Sequence, residues 1–164
     1  QPFFLRAFAR LIKDLPDVQA AITGIGSASF TLSLQDQATG LPGVHWLGEV
    51  ADMPTFYCAC DLVCIPSRSE TFGRTAIEAF ACRVPVIASA VGGLRENIRS
   101  GENGWLVPYD DELSLVSALR EGVEHPEIAA QRAAVAFQDA QQHFREIDYQ
   151  SAVLTQIDQL LATS

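Results

Sequence analysis

With 48% hydrophobic and 19% charged residues, a chain of 164 residues carries enough apolar material for one ordinary globular domain, and its length asks for no second. A formal charge of −9 sets it against nucleic acid and anionic membrane surfaces as main partners, because both repel a protein of the same sign. No run reaches the roughly 20 apolar residues of a membrane-spanning helix, and the opening residues show no signal-peptide pattern. Cys58, Cys60, Cys64 and Cys82 stand in apolar or alanine-rich company, and Cys58-Ala-Cys60 lacks the two-residue gap of a metal knuckle or redox pair. They read as small, buried, reduced core residues, and the expected location is the cytoplasm.

Taken in order, Phe4, Phe8, Leu11, Ile12 and Leu15 recur at helical spacing, so an amphipathic helix is predicted over residues 3–14. Val18–Thr23 is an apolar run stopped by Gly24-Ile25-Gly26, hence a strand and a tight turn, and the lone Gly-x-Gly does not complete a dinucleotide fingerprint. A helix follows over about 29–38, then a strand over 44–47 closed by Gly48. Asp52-Met53-Pro54 begins a short helix, with Asp52 as cap and proline in the first turn. Further strands are predicted over 61–65, 85–89 and 104–107, alternating with helices over 75–82 and 94–98. Asp110-Asp111-Glu112 caps a helix striped by Leu113, Val116, Leu119 and Val123. From Pro126 the chain is helical in composition, ending on a stripe of Tyr149, Val153, Ile157, Leu160 and Leu161. Strand and helix alternating in this way predict an α/β fold: a Rossmann-like parallel sheet with helices on both faces.

The stretch from Pro66 to Phe80 holds the chemistry. Glu70 and Glu78 straddle a loop-to-helix junction just past the 61–65 strand, where open α/β sheets place their ligands. Carboxylates accept paired hydrogen bonds from vicinal hydroxyls, so sugar and ribose diols are the expected guests. Phe72 and Gly73 offer backbone N–H groups, and Thr75 near the helix start offers a hydroxyl and an N–H to a phosphate. Arg68, Arg74, Arg83, Arg95 and Arg99 cluster around the motif, surface cations or a balance for an anionic ligand.

The Glu70-x7-Glu78 spacing with Phe72-Gly73 inside it, preceded by Asp61-Leu-Val-Cys-Ile-Pro-Ser67 and followed by Pro85-Val-Ile-Ala-Ser89 and Gly92-Gly93-Leu94-Arg95-Glu96, resembles the C-terminal donor-binding domain of the retaining GT-B glycosyltransferases of family 4, the group 1 glycosyl transferases. The resemblance implies that residues 1–164 are one nucleotide-sugar-binding domain of a larger enzyme, the C-terminal half of a GT-B fold. A first strand, a loop with basic residues and an N-terminal acceptor domain would then stand ahead of residue 1, leaving this chain with an exposed sheet edge. It implies a nucleotide-sugar donor bound by Glu70, Thr71, Phe72, Gly73, Arg74, Thr75 and Glu78, with Glu70 on the transferred sugar, Glu78 on the ribose, and Val50 in Gly48-Glu49-Val50 against the base. No metal and no other cofactor is expected. Related enzymes make lipopolysaccharide, exopolysaccharide, glycolipid and sucrose-type products, so the full-length protein is expected in the cytoplasm, at the inner face of the membrane where its acceptor is a lipid. Arg83 stands where the family has glycine, which either perturbs that turn or sets a cation at the rim of the site. Two other readings stay open: a nucleotide-sugar-binding module without turnover, and a nucleotide-sugar 2-epimerase. The epimerase loop is Gly-Gly-rich with consecutive glutamates, unlike Ser69-Glu70-Thr71-Phe72-Gly73.

Overall fold

The computed structural model describes residues 1–24 and 26–144. The stripe read over Tyr149–Leu161 lies outside them. In chain order the elements are α1 (Pro2–Leu11), β1 (Ala20–Thr23), α2 (Ala28–Gln37), β2 (Val44–Gly48), α3 (Met53–Cys58), β3 (Val63–Ile65), α4 (Arg74–Ala81), β4 (Val86–Ser89), α5 (Leu94–Asn97), β5 (Trp105–Val107), α6 (Glu112–Glu124) and α7 (Pro126–His143). Local chemistry sets most boundaries. Asp52 accepts from the Thr55 N–H at 3.1 Å and Asp111 from the Ser114 N–H at 3.1 Å, two N-caps that also hold both carboxyls below their usual range through hydrogen bonds from Thr55 and Ser114.

Every strand pairing is parallel, but the expected single sheet is divided. β1 pairs with β2, and β3, β4 and β5 form a separate group in that order. The free edge of β1 and the free edge of β3 border one cavity of about 1120 Å³. Phe8 and Leu11 of α1 and Leu119 of α6 also line it, as do Phe56 and Tyr57 of α3. β1 and β3 thus each keep an unpaired edge, as expected of an open sheet, and the two edges face the same slot.

Alternation along β4 splits the core. Val86 and Ala88 pack with Tyr57, Val63, Ile65, Phe80, Leu94 and Ile98 on one side, whereas Ile87 joins Phe3, Phe8, Leu11, Trp105, Leu115 and Leu119 on the other. α7 reaches both sides through small residues, Ala129 with the second set and Ala136 with the first. The cysteine reading needs correction: Cys58 is exposed and Cys60, Cys64 and Cys82 are half-buried, because Cys58 and Cys82 sit at the outer ends of α3 and α4. Among the described residues no helix is long and apolar enough to cross a membrane.

Candidate functional site

The segment 66–73 leaves β3 at its carboxyl end and turns into α4. Gly73 makes the turn: it is the N-cap of α4 with φ +84° and ψ +39°, a left-handed conformation that glycine adopts without strain. Its N–H donates to Glu70 Oε1 at 3.3 Å, so Glu70 folds back over the loop it begins. The Phe72 carbonyl accepts from the side-chain amide of Asn97, at the end of α5.

Behind this loop lies Gly92-Gly93. The sequence suggests a backbone open to close approach by a ligand; what approaches it is the 70–72 loop itself. The Gly93 N–H donates to the Glu70 carbonyl at 3.1 Å, and a Cβ on Gly93 would stand 2.6 Å from the Thr71 carbonyl oxygen and 2.7 Å from that of Phe72. A Cβ on Gly92 would stand 1.7 Å from the Glu70 carbonyl oxygen. The glycines let the ends of β3 and β4 carry two loops in backbone contact.

Glu78, in the middle of α4, has both oxygens engaged. Arg74 Nη2 donates to Oε1 at 3.1 Å and the Tyr57 hydroxyl to Oε2 at 3.0 Å. Tyr57 is 2% exposed, and burial, then the Glu78 hydrogen bond, raise its pKa, so the phenol stays a neutral donor. A carboxylate offers about four acceptor positions, which leaves Glu78 room for a diol. The side chain is 40% exposed, enough for a ligand to reach it. Thr71, Phe72, Arg74 and Thr75 are exposed along the same loop and first helical turn, and Gly73 is buried beneath them. Val50 lies half-buried in the loop from β2 to α3, with no hydrogen bond to the 66–78 segment among the described residues.

The arginine cluster disperses. Arg74 alone among the five bonds within the motif; Arg95 Nε donates to the Ala90 carbonyl, and Arg99 pairs with Glu102 and Asp139. Arg83 adopts φ +59° and sits over the Phe137 ring at 4.1 Å, at the far end of α4 from Gly73. The turn keeps the left-handed backbone glycine would favour, and the cation packs on α7 instead of rimming the site. Tyr57 and Asn97 were not expected in the site. A polar Asn97 beside Leu94 and Ile98, both fully buried, was the readable signal for one of them; nothing local marks the other.

Removal of the Tyr57 hydroxyl is a direct check on this network. Tyr57→Phe is expected to keep the fold and lower stability by about 1 kcal/mol, because partly exposed Glu78 takes up water in its place. A urea midpoint identical to that of the parent would mean the contact contributes nothing.

Comparison with known proteins decides the family: the description "Glycosyl transferases group 1" matches residues 1–125. The chain belongs to the group 1 glycosyl transferases. It is 35% identical over 171 residues to D-inositol 3-phosphate glycosyltransferase 1 of Catenulispora acidiphila, covering 96% of this chain and 39% of that protein. Among solved structures, Anabaena HepE in complex with UDP-glucose superposes with a TM-score of 0.86 at 30% identity, over 100% of this chain and 45% of the other. The C-terminal domain of the group 1 protein LpcC from Francisella tularensis matches with a TM-score of 0.79 at 26% identity, over 88% of this chain and 79% of that domain. The Rossmann-like half of a GT-B glycosyltransferase is thus the fold, and the chain spans well under half the length of the curated relative.

Proposed function

We propose that this chain is the donor-binding domain of a retaining glycosyltransferase that moves a sugar from a nucleotide sugar to an acceptor. The observation that carries the reading is the single loop-and-helix unit at the carboxyl end of β3. It presents two carboxylates, Glu70 and Glu78, with the Gly73 turn and the start of α4 between them. In this reading Glu78 takes the ribose diol and Glu70 the hydroxyls of the sugar being transferred, which makes Glu70 the catalytic carboxylate. Thr71, Phe72, Gly73, Arg74 and Thr75 hold the sugar and diphosphate between them, and Val50 meets the base. The leaving diphosphate meets backbone N–H groups and a guanidinium, with no metal assigned a part. HepE is seen with UDP-glucose, so UDP-glucose is the first donor to test. The acceptor is held by the remainder of the protein. The reading places the reaction in the cytoplasm, where thiols stay reduced.

Two substitutions test the assignment by calorimetric titration with UDP and UDP-glucose in one buffer. Glu78→Gln is expected to weaken both ligands about tenfold, since it loses charge-assisted acceptance from the part they share. Glu70→Gln is expected to leave UDP nearly unchanged and weaken UDP-glucose alone. Equal losses for both ligands in both variants would remove the division of labour, and the reverse pattern would turn the donor end for end.

A further inference from the structure

We infer that Asn97 is a positioning residue for Glu70: its buried amide grips the Phe72 carbonyl and so turns the Phe72–Gly73 peptide to present the Gly73 N–H to the Glu70 carboxylate. A trans peptide is a rigid plane whose C=O and N–H point in opposite directions. Here the two ends of one plane are held by two side chains, Asn97 at the Phe72 carbonyl and Glu70 at the Gly73 N–H. Rotating that plane away from Asn97 removes the donor that aims Glu70. Gly73 suits this turn as glycine because its φ is +84°, and a Cβ there would also crowd Asn97 Nδ2 at 3.2 Å and Leu94 Cδ2 at 3.0 Å.

Asn97 is itself well anchored. It is 8% exposed, and its carbonyl accepts from Asn103 Nδ2 at 3.1 Å. Asn103 is fully buried; its Oδ1 accepts from the Arg99 N–H at 2.7 Å and its Nδ2 donates to Asp139 Oδ2 of α7 at 2.7 Å. Asn103 thus ties the Asn97 backbone to the Asp139 carboxylate of α7, while the Asn97 side chain holds the Phe72 carbonyl. An anchored backbone at Asn97 fixes where its side-chain amide can reach, and a hydrogen bond shielded from water is electrostatically stronger than the same bond in water.

The inference rests on the reading of Glu70 as the carboxylate facing the sugar, so its test has one arm that uses the donor and one that does not. Asn97→Leu keeps the volume and deletes the donor; Asn97→Ala serves if that variant does not fold, and Ile98→Val is the packing control, since Ile98 is a neighbouring core residue 1% exposed. In the donor-free arm, NMR exchange of the Gly73 amide is expected to accelerate about tenfold in the Asn97 variant, the scale of one lost hydrogen bond, and to stay unchanged in Ile98→Val. In the donor arm, the ratio of UDP-glucose to UDP affinity is expected to fall several-fold in the Asn97 variant alone. An unchanged Gly73 exchange rate in a folded Asn97 variant overturns the inference, as does an equal acceleration in Ile98→Val. Faster exchange with an unaltered affinity ratio leaves Asn97 as the residue that holds the peptide and removes Glu70 from the sugar instead.

Discussion

Gly92→Ala is expected to dismantle the loop that carries Glu70 and to cost at least about 3–4 kcal/mol, a large share of a domain's usual 5–15. Two penalties add. Gly92 has φ +45°, where an alanine costs about 1 kcal/mol or more. The heavier penalty is steric: the new Cβ would stand 1.7 Å from the Glu70 carbonyl oxygen and 2.9 Å from its carbonyl carbon. Both atoms are backbone, so no rotamer change relieves the clash and one of the two loops must withdraw. Withdrawal also loses the Gly93 N–H bond to the Glu70 carbonyl. Gly40→Ala separates the two penalties, because Gly40 has φ +76° and a Cβ there would meet nothing within 4 Å. It is expected to cost only the backbone strain, about 1 kcal/mol. Urea unfolding of the two variants beside the parent makes the comparison. Equal costs for Gly92 and Gly40 would show that the contact between the 70–72 and 92–93 loops carries no weight.

The order of elements was legible because each boundary has a local cause. Pro66 ends β3, Asp52 and Asp111 cap α3 and α6 through side chains three residues from their targets, and Ile87 alternates with Val86 and Ala88. What escaped the sequence is long-range. The Tyr57 hydroxyl and Glu78 lie 21 residues apart, and Asn97 and the Phe72 carbonyl 25, so neither contact leaves a periodic trace. Gly92-Gly93 announced a close approach without saying by what, since a glycine reports room for a neighbour and not its identity. Arg83 broke the expectation of glycine by occupying the left-handed region itself and laying its guanidinium on Phe137. The division of the sheet was illegible for a related reason. Strand propensity says which segments extend, whereas pairing is decided by whatever lies on either side, and β1 and β3 have a cavity there.

That cavity leads to the largest expected gain in stability. Extending the chain ahead of Gln1 by a short Gly/Ser linker preceded by six alternating Val, Ile and Thr residues should seat a strand between β1 and β3. The walls suit it: Ala20–Thr23 on one side and Val63 and Cys64 on the other offer ladder groups, and apolar side chains of α1, α3 and α6 cover both faces. Gln1 lines the same slot. A strand there would run parallel to both neighbours and connect through α1 to β1 by the right-handed crossover that such units adopt. Each buried Val or Ile contributes about 1.5–3 kcal/mol, and ordering each residue opposes it by about 1–2. Ladder bonds on two edges add about 1 kcal/mol each. The net gain expected is about 3–5 kcal/mol, a rise in melting temperature on the order of 10 °C for a chain of this size. Binding of a hydrophobic dye to the slot should fall in parallel. A control extension of equal length made only of glycine and serine should change neither measurement. Equal melting temperatures for strand and control would show that β1 and β3 do not accept a partner between them, and that the slot closes in another way.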